Sequence, residues 1–360
     1  MWEVWIHNTR SGSPELRLPV SAGSWTRRLG SKGNGSHSVP LFNSGIPKSL
    51  VREISRGNKY TLAQRWGTHC AYAGVIQSRS FAEPGSMLTI EHQEIRAALF
   101  GARLLHGVNE YNPASGVVNV VGQTHAGAVR VVLNAATKNG SVPGWELPID
   151  LPGAGVGSFN ASWRHEEGLT VENTLTQIED DGAETDFRPY LDSDGYLRYA
   201  APVASPIVTG APYMVPTRAP GSIVSDLSTT DDYSTQMTGV LGFGNGSGQD
   251  RKWAFAPTSG DGIRDLPVKD VATDFPDIYD QTRLQRALNA DFALRNFPIE
   301  QWSFSLYVGG IGPDITAPGR LLDLHSYGSD FIPDGVYPHR VVALAGNMTA
   351  SVKPEVQAYG

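Results

Sequence analysis

Cysteine is almost absent from this chain. Cys70 stands alone among 360 residues, so no intramolecular disulfide and no multi-cysteine zinc site can form, and nothing calls for an oxidising compartment. Long apolar runs are missing too. A bilayer span needs ~20 unbroken apolar residues, and no membrane span is expected. Positive charge is in deficit: 29 Lys and Arg face 36 Asp and Glu, a net charge of −7 with a pI near 5.7. That balance argues against stable nucleic-acid binding, which concentrates Lys and Arg on one surface. With 40% hydrophobic and 18% charged residues, the chain has the composition of a folded protein rather than a disordered one. Met1 to Arg10 carries two tryptophans and no basic stretch leading into an apolar run, so no secretory leader is expected.

Signatures of catalysis are equally scarce. There is no phosphate-binding Gly-Lys-Ser loop, no nucleophile elbow and no HExxH helix. His165-Glu166-Glu167 lacks the second histidine at i+4 that a zinc helix needs. The run Gly242-Phe243-Gly244-Asn245-Gly246-Ser247-Gly248 spaces its glycines by two and reads as a bulge or loop. Glu179, Asp180, Asp181, Glu184 and Asp186 could supply a glycosidase pair, which needs two carboxyls ~5 to 9 Å apart across a bond. Acids at a helix end and turn are ordinarily just solvated. Asp192-Ser193-Asp194-Gly195 is similar to the start of a calcium loop, but its twelfth position is Val203 rather than Glu, and a β-turn is the better reading. The nine histidines are scattered, and the sequons at Asn34, Asn160, Asn245 and Asn347 read as chance loop residues. No catalytic, cofactor-binding or metal-binding residue is nominated.

What the chain has in plenty is turn chemistry: 40 Gly and 24 Pro punctuate short segments throughout, the texture of a β-rich fold. Trp2, Val4 and Ile6 alternate with Glu3, Trp5 and His7, an opening strand, and Leu16 to Val20 is a second. Gly30 to Ser38 reads as a loop. Tyr60–Trp66, Ala71–Ser80 and Met87–Ile90 form a meander broken at Gly67 and Pro84-Gly85. Glu91 to Leu105 then carries apolar residues at helical spacing, with Gly107 as its stop. Further helices are expected over Thr124–Lys138, stopped by Lys138-Asn139-Gly140, over Thr170–Asp181, and over Tyr279–Phe297. Asp194-Gly195 marks a hairpin within Phe187–Val203. Pro202 to Thr238, with weak periodicity, reads as a linker or surface excursion. Trp302 to Val308 is a strongly alternating strand, followed by strands over Leu321–Leu324, Tyr337–Leu344 and Ala350–Ala358. The division expected is residues 1–106, a β-barrel-like domain ending in a helix; 107–201, an α/β middle; 202–298, a linker or extended region with a helix; and 299–360, a C-terminal β domain. The fold class is α+β and β-rich: two β-barrel-like domains around a helix-containing α/β region.

Leu16-Arg17-Leu18-Pro19-Val20, Trp25-Thr26-Arg27-Arg28-Leu29, the Gly/Ser stretch to Pro40-Leu41, Tyr72-Ala73-Gly74-Val75-Ile76, and Met87 to Leu105 follow one another in an informative order. Asp186-Phe187-Arg188-Pro189 with the hairpin to Tyr199, and Pro318-Gly319-Arg320 leading to Ile332-Pro333-Asp334-Gly335-Val336-Tyr337-Pro338-His339-Arg340-Val341-Val342, come later. In this order the chain resembles the minor tail, or baseplate hub, proteins of siphoviruses that infect actinobacteria, the tail-associated hub family. The resemblance implies a phage tail hub-like fold, assembled as a homo-oligomer, a trimeric ring that continues the tail tube. It implies a virion protein of the tail tip, made in the bacterial host cytoplasm. Its partners would be the distal tail protein, the tape measure protein, and other minor tail proteins and fibres. Genome DNA would pass through the ring without stable binding, past a lumen lined by acidic residues. No functional side chain carries over, and no enzymatic activity is expected. The alternatives are a cell-wall hydrolase, tail-associated or free, and a receptor- or carbohydrate-binding tail module built on exposed Trp and Tyr.

Overall fold

Alternating burial along Trp2–Asn8 makes the chain's first strand, β1, with Trp2, Val4 and Ile6 inward. In the computed structural model every residue is described except 43, 84, 106–115, 138–143, 258–266, 277 and 360. Strand β1 is followed by β2 (Pro14–Leu18), β3 (Ala22–Arg28), β4 (Asn34–Pro40), β5 (Tyr60–Trp66), β6 (His69–Ala82) and β7 (Met87–Glu94). Their spatial order is β2-β1-β5-β6-β7-β4-β3, and the expected meander is β5-β6-β7. Beyond β3 the sheet continues onto Gly335–Asn347, which pairs with both Ser351–Ala358 and Arg320–Ser326.

Strands β5 and β6 are buried on both faces. Ala63, Ala73 and Val75 face a core built with two helices, α2 (His125–Thr137) and α3 (Val171–Glu179), while Leu62 and Ile76 face a second core closed by α1 (Lys48–Ile54). A sheet covered on both sides loses the apolar-polar alternation that marks a half-exposed one. Helices α2 and α3 follow the sequence closely because their caps are local. The Thr124 hydroxyl accepts from Gly127 N at 3.1 Å. Thr170 accepts from Asn173 N while the Asn173 side chain accepts from Thr170 N, a reciprocal cap.

Several expectations are corrected. Gly30 to Ser38 is not all loop: β4 starts at Asn34, and its Gly35, Ser36 and Ser38 pair with His92, Glu91 and Thr89 of β7. A side chain at Gly35 would meet Ser24 O at 2.6 Å, so the small residues serve close strand packing rather than flexibility. The helix expected from Glu91 is displaced by β7, which runs to Glu94, and only Arg96–Phe100 coils, as a short π-helical turn. Ladder bonds to β4 and β6 outweigh the helical spacing there. Pro202 to Thr238, expected as a linker or surface excursion, contains strands Val203–Ala204, Thr209–Pro216 and Val224–Asp232. Among the described residues Thr209–Pro216 pairs only with Arg320–Ser326, and an edge strand of mostly exposed residues tolerates proline and shows little periodicity. The described strands form one large sheet and four small ones, and among the described residues no pairing closes a barrel. The stops expected at Gly107 and Lys138-Asn139-Gly140, and Pro84 of the expected turn, lie outside the described residues.

The chain clusters into two compact units, Met1–Leu227 with Phe304–Gly360, and Ser228–Ser303. The smaller unit is a three-stranded sheet, Trp253–Ala256, Gly239–Phe243 and Asp270–Asp274, with α4 (Gln281–Arg295) on one face. Asp280 caps α4 by accepting from Arg283 N at 2.7 Å. The glycine-rich run begins inside this sheet, where a Cβ on Gly242 would stand 2.4 Å from Leu288 of α4. The absent side chain lets helix and sheet close on each other. Because Leu288 is fully buried, Gly242→Ala is expected to destabilise this unit by about 1–3 kcal/mol. Amide hydrogen exchange should show lost protection across Gly239–Phe243 with β5 and β6 unchanged.

Candidate functional site

The acidic cluster from Glu179 to Asp186, at the end of α3 and beyond it, stands out in the sequence, and the structure disperses it. Glu179 and Glu172 grip Arg96 from two sides at 2.6 and 2.7 Å. Burial works against the Arg96 charge, but the two carboxylates outweigh it and raise its pKa. Glu184 takes both Arg340 terminal nitrogens at 2.7 and 2.9 Å and the Ile207 N–H at 2.8 Å. Asp181 meets His125 at the surface. Asp186 accepts from Arg27 Nη2 at 2.5 Å and from the Ser31 hydroxyl at 2.9 Å. Glu179, Glu184 and Asp186 are thus each engaged by an arginine, and Asp181 by His125.

The other sequence candidates are likewise built into local structure. The Glu167 carboxylate accepts from Arg164 N at 3.0 Å, folding His165–Glu167 into one tight turn. Asp192 Oδ1 accepts from the N–H groups of Asp194 and Tyr196 at 3.0 and 2.9 Å, closing the hairpin between Arg188–Leu191 and Leu197–Ala200. Among the described residues no group of three His, Cys, Asp or Glu is placed to hold a metal. Cys70 is buried, which pushes its thiol up to about 12. Trp2, Trp25, Trp163 and Trp302 are buried, whereas Trp253 is exposed and stacks on Phe255 at 6.3 Å.

Two buried polar clusters escape notice when the sequence is read for motifs. In the first, Arg27 lies between Asp186 and Glu94, whose Oε1 is 3.8 Å from Arg27 Nε. Glu94 Oε2 also accepts from the N–H groups of Arg28 and Gly33 at 3.1 and 2.7 Å. Burial pushes the Glu94 carboxyl up to about 8, against the pull of Arg27 and those donors. In the second, Tyr72 OH lies 2.8 Å from His92 Nδ1, His92 Nε2 lies 2.8 Å from His37 Nδ1, and His37 Nε2 lies 2.9 Å from Gln64 Oε1. One set of neutral tautomers satisfies the whole chain: Tyr72 donates to His92, His92 to His37, and His37 to Gln64. Burial lowers His37 to about 4 and His92 well below its usual value. The signal for both clusters was phase: Leu88, Ile90, His92 and Glu94 share one side of β7, and Trp25 and Arg27 one side of β3.

No protein-family model matches the chain, and no curated protein matches it in sequence. Solved structures do. The 43 kDa tail protein of prophage MuSo2 from Shewanella oneidensis superposes with a TM-score of 0.59 at 12% identity, over 99% of this chain and 98% of that one. The tail protein from Neisseria meningitidis MC58 superposes with a TM-score of 0.57 at 14% identity, over 99% and 96%. The fold is that of phage tail proteins. Because the match runs nearly end to end on both sides, both compact units belong to the shared tail-protein fold.

The interior of this tail-protein fold is therefore held by ionic and neutral polar groups together, and two measurements separate them. Asp186→Ala strands Arg27 in the core, and removing one partner of a buried ion pair costs about 3–5 kcal/mol; urea unfolding should register a loss of that order. Acid acts on the histidines. His7, lowered to about 4 chiefly by burial, joins His37 and His92 as buried neutral rings. Between pH 6.5 and 4 the unfolded chain binds protons that these rings refuse, so stability is retained above 6.5 and falls as pH drops through that window. Glu94 works the opposite way, holding a proton in the folded state up to about 8, but it is one group against three. Thermal unfolding at stepped pH should show a net fall in Tm from pH 6.5 to 4.5, reduced in His37→Gln if that variant keeps the hydrogen-bonded chain.

Proposed function

We propose that this protein is a structural component of a phage tail, and that it works by assembly rather than by catalysis. The observation that carries the reading is the near-complete overlap with two tail proteins across both compact units. The engagement of the acidic cluster in structural ion pairs supports it, since the carboxylates best placed by sequence for hydrolysis are committed to Arg96, Arg27 and Arg340. At finer grain, the chain is a baseplate hub or minor tail protein at the tail tip of a siphovirus. Two barrel-like domains from each of three copies make a ring that joins the tail tube and distal tail protein to tip proteins and fibres. The tape measure protein and then the genome pass through its centre. The net charge of −7 favours an acidic lumen, in which DNA slides without sticking.

Electron microscopy of intact virions, with the chain located by fitting or by antibody label, tests this. Three copies around the tail axis at the tip are expected. A chain missing from virions, together with lysis of purified cell wall by the isolated protein, would replace the hub with a free hydrolase.

A further inference from the structure

A groove with a volume of about 590 Å³ lies between α1 and the outer ends of β6 and β7. Its walls include Phe42, Phe81 and Leu88, and its rim carries Lys48, Arg52 and Arg79 against one carboxylate, Glu83. Phe42 and Phe81 are 75% and 51% exposed, a large apolar outlay for a surface that nothing among the described residues covers. Arg79 is fixed in place, its Nη1 bonding Arg52 O and Ser55 Oγ at 2.5 and 2.6 Å. Lys48 and Arg52 have no ion-pair partner among the described residues. The groove is thus apolar inside and cationic at its edge, in a chain that is acidic overall.

A complementary surface exists in the same compact unit. The loop 327–334, at the tip of the hairpin between Arg320–Ser326 and Gly335–Asn347, exposes Tyr327 at 79% and Phe331 at 78% beside Asp330 and Asp334. It contains no Lys or Arg. Asp334 accepts from Gly328 N at 2.7 Å and Arg218 donates to Gly328 O, which hold the loop in shape.

Strand registers put knob and groove at opposite ends of the sheet. From the knob, Gly335–Asn347 runs away along its length until Ala343 to Asn347 pair with Arg28 to Ser24 of β3. Ala22, further on, pairs with Ser38 of β4, and β4 then ends at Pro40 beside Met87 of β7, where the groove begins. One copy cannot fill its own groove with its own knob.

We infer that the knob 327–334 of one copy docks in the α1–β6 groove of the next, Phe331 entering the apolar floor and Asp330 meeting Arg52. Such a contact joins two different patches head to tail, which is the interface type that closes rings larger than two-fold pairs. The inference rests on the hub reading for its biological setting but on the surfaces alone for its chemistry.

The test is cross-linking of full-length protein at high concentration. A copy carrying Phe42→Cys is mixed with a tagged copy carrying Phe331→Cys and treated with a short bismaleimide; Cys70, buried, contributes no background. A mixed covalent dimer is expected, in clear excess over that from Phe42→Cys paired with Val121→Cys, an exposed control. Arg52→Glu in the groove copy should cut the yield about tenfold, the scale of one close charge pair across an interface, and Asp330→Lys in the knob copy should restore it. A yield no greater than the control, or one indifferent to both charge changes, overturns the contact. If virion microscopy still places three copies at the tip, the hub stands and only this contact falls.

Discussion

Arg27 is the constraint around which the larger unit is organised. Its side chain is 2% exposed on a strand in the middle of the sheet order, and an unpaired cation there would cost several kcal/mol. Asp186 supplies the opposite charge at 2.5 Å, Glu94 lies 3.8 Å away on the other side, and each neighbour imposes geometry elsewhere. Glu94 fixes the end of β7 against the Arg28–Gly33 turn through two backbone N–H groups. Asp186 brings the segment after α3 onto the same turn, where Ser31 accepts from Phe187 N at 2.9 Å. Arg96 and Arg340 repeat the arrangement with Glu172, Glu179 and Glu184. The helical middle is thereby pinned to the sheet at three buried or half-buried cations, while apolar packing of α2 and α3 fills the space between.

That division of labour explains what could be read from the sequence. Helices α2, α3 and α4 were legible because their signals are local: a Thr or Asp cap, apolar residues at i, i+4 and i+7, and a turn beyond. Strands β1 and Ile299–Tyr307 were legible because each keeps one buried row. Strand β4 was not, since Gly35 and Ser36 were selected by a close neighbour strand and look, in isolation, like loop residues. Helix α1 had no capping residue, with Pro47 preceding it and no side-chain cap bond, and the sequence offered nothing to mark it. The strands within 203–232 were missed for a third reason: they lie where proline and polar residues are allowed, so periodicity was never imposed.

For the candidate site the residues were visible and their partners were not. The acids between Glu179 and Asp186 stood out by proximity, but Asp186 meets Arg27 across 159 positions and Glu184 meets Arg340 across 156. Separations of that size are set by topology, which no local pattern encodes. The phase of charged residues within amphipathic strands was the usable clue. A cation or histidine in register with buried neighbours must find a partner, so Arg27, His92 and Glu94 announced a buried polar cluster even though nothing in the sequence said which strand would supply the rest.

The same physics bears on how the fold persists at 12% and 14% identity to the two tail proteins. A catalytic centre demands particular side chains at particular distances, and drift beyond them abolishes function. An assembly protein demands a rigid body and complementary outer surfaces. Cores tolerate wide hydrophobic exchange when volume and pattern are kept, and interfaces can drift together when both patches belong to the same chain. A head-to-tail contact has that property, because knob and groove are encoded in one gene product and a change in either is met by selection on the other. In such a protein the charge signs and apolar exposure of the two patches should outlast the identity of any one residue, and on the head-to-tail contact proposed above it is surface complementarity, rather than a motif, that would carry the function.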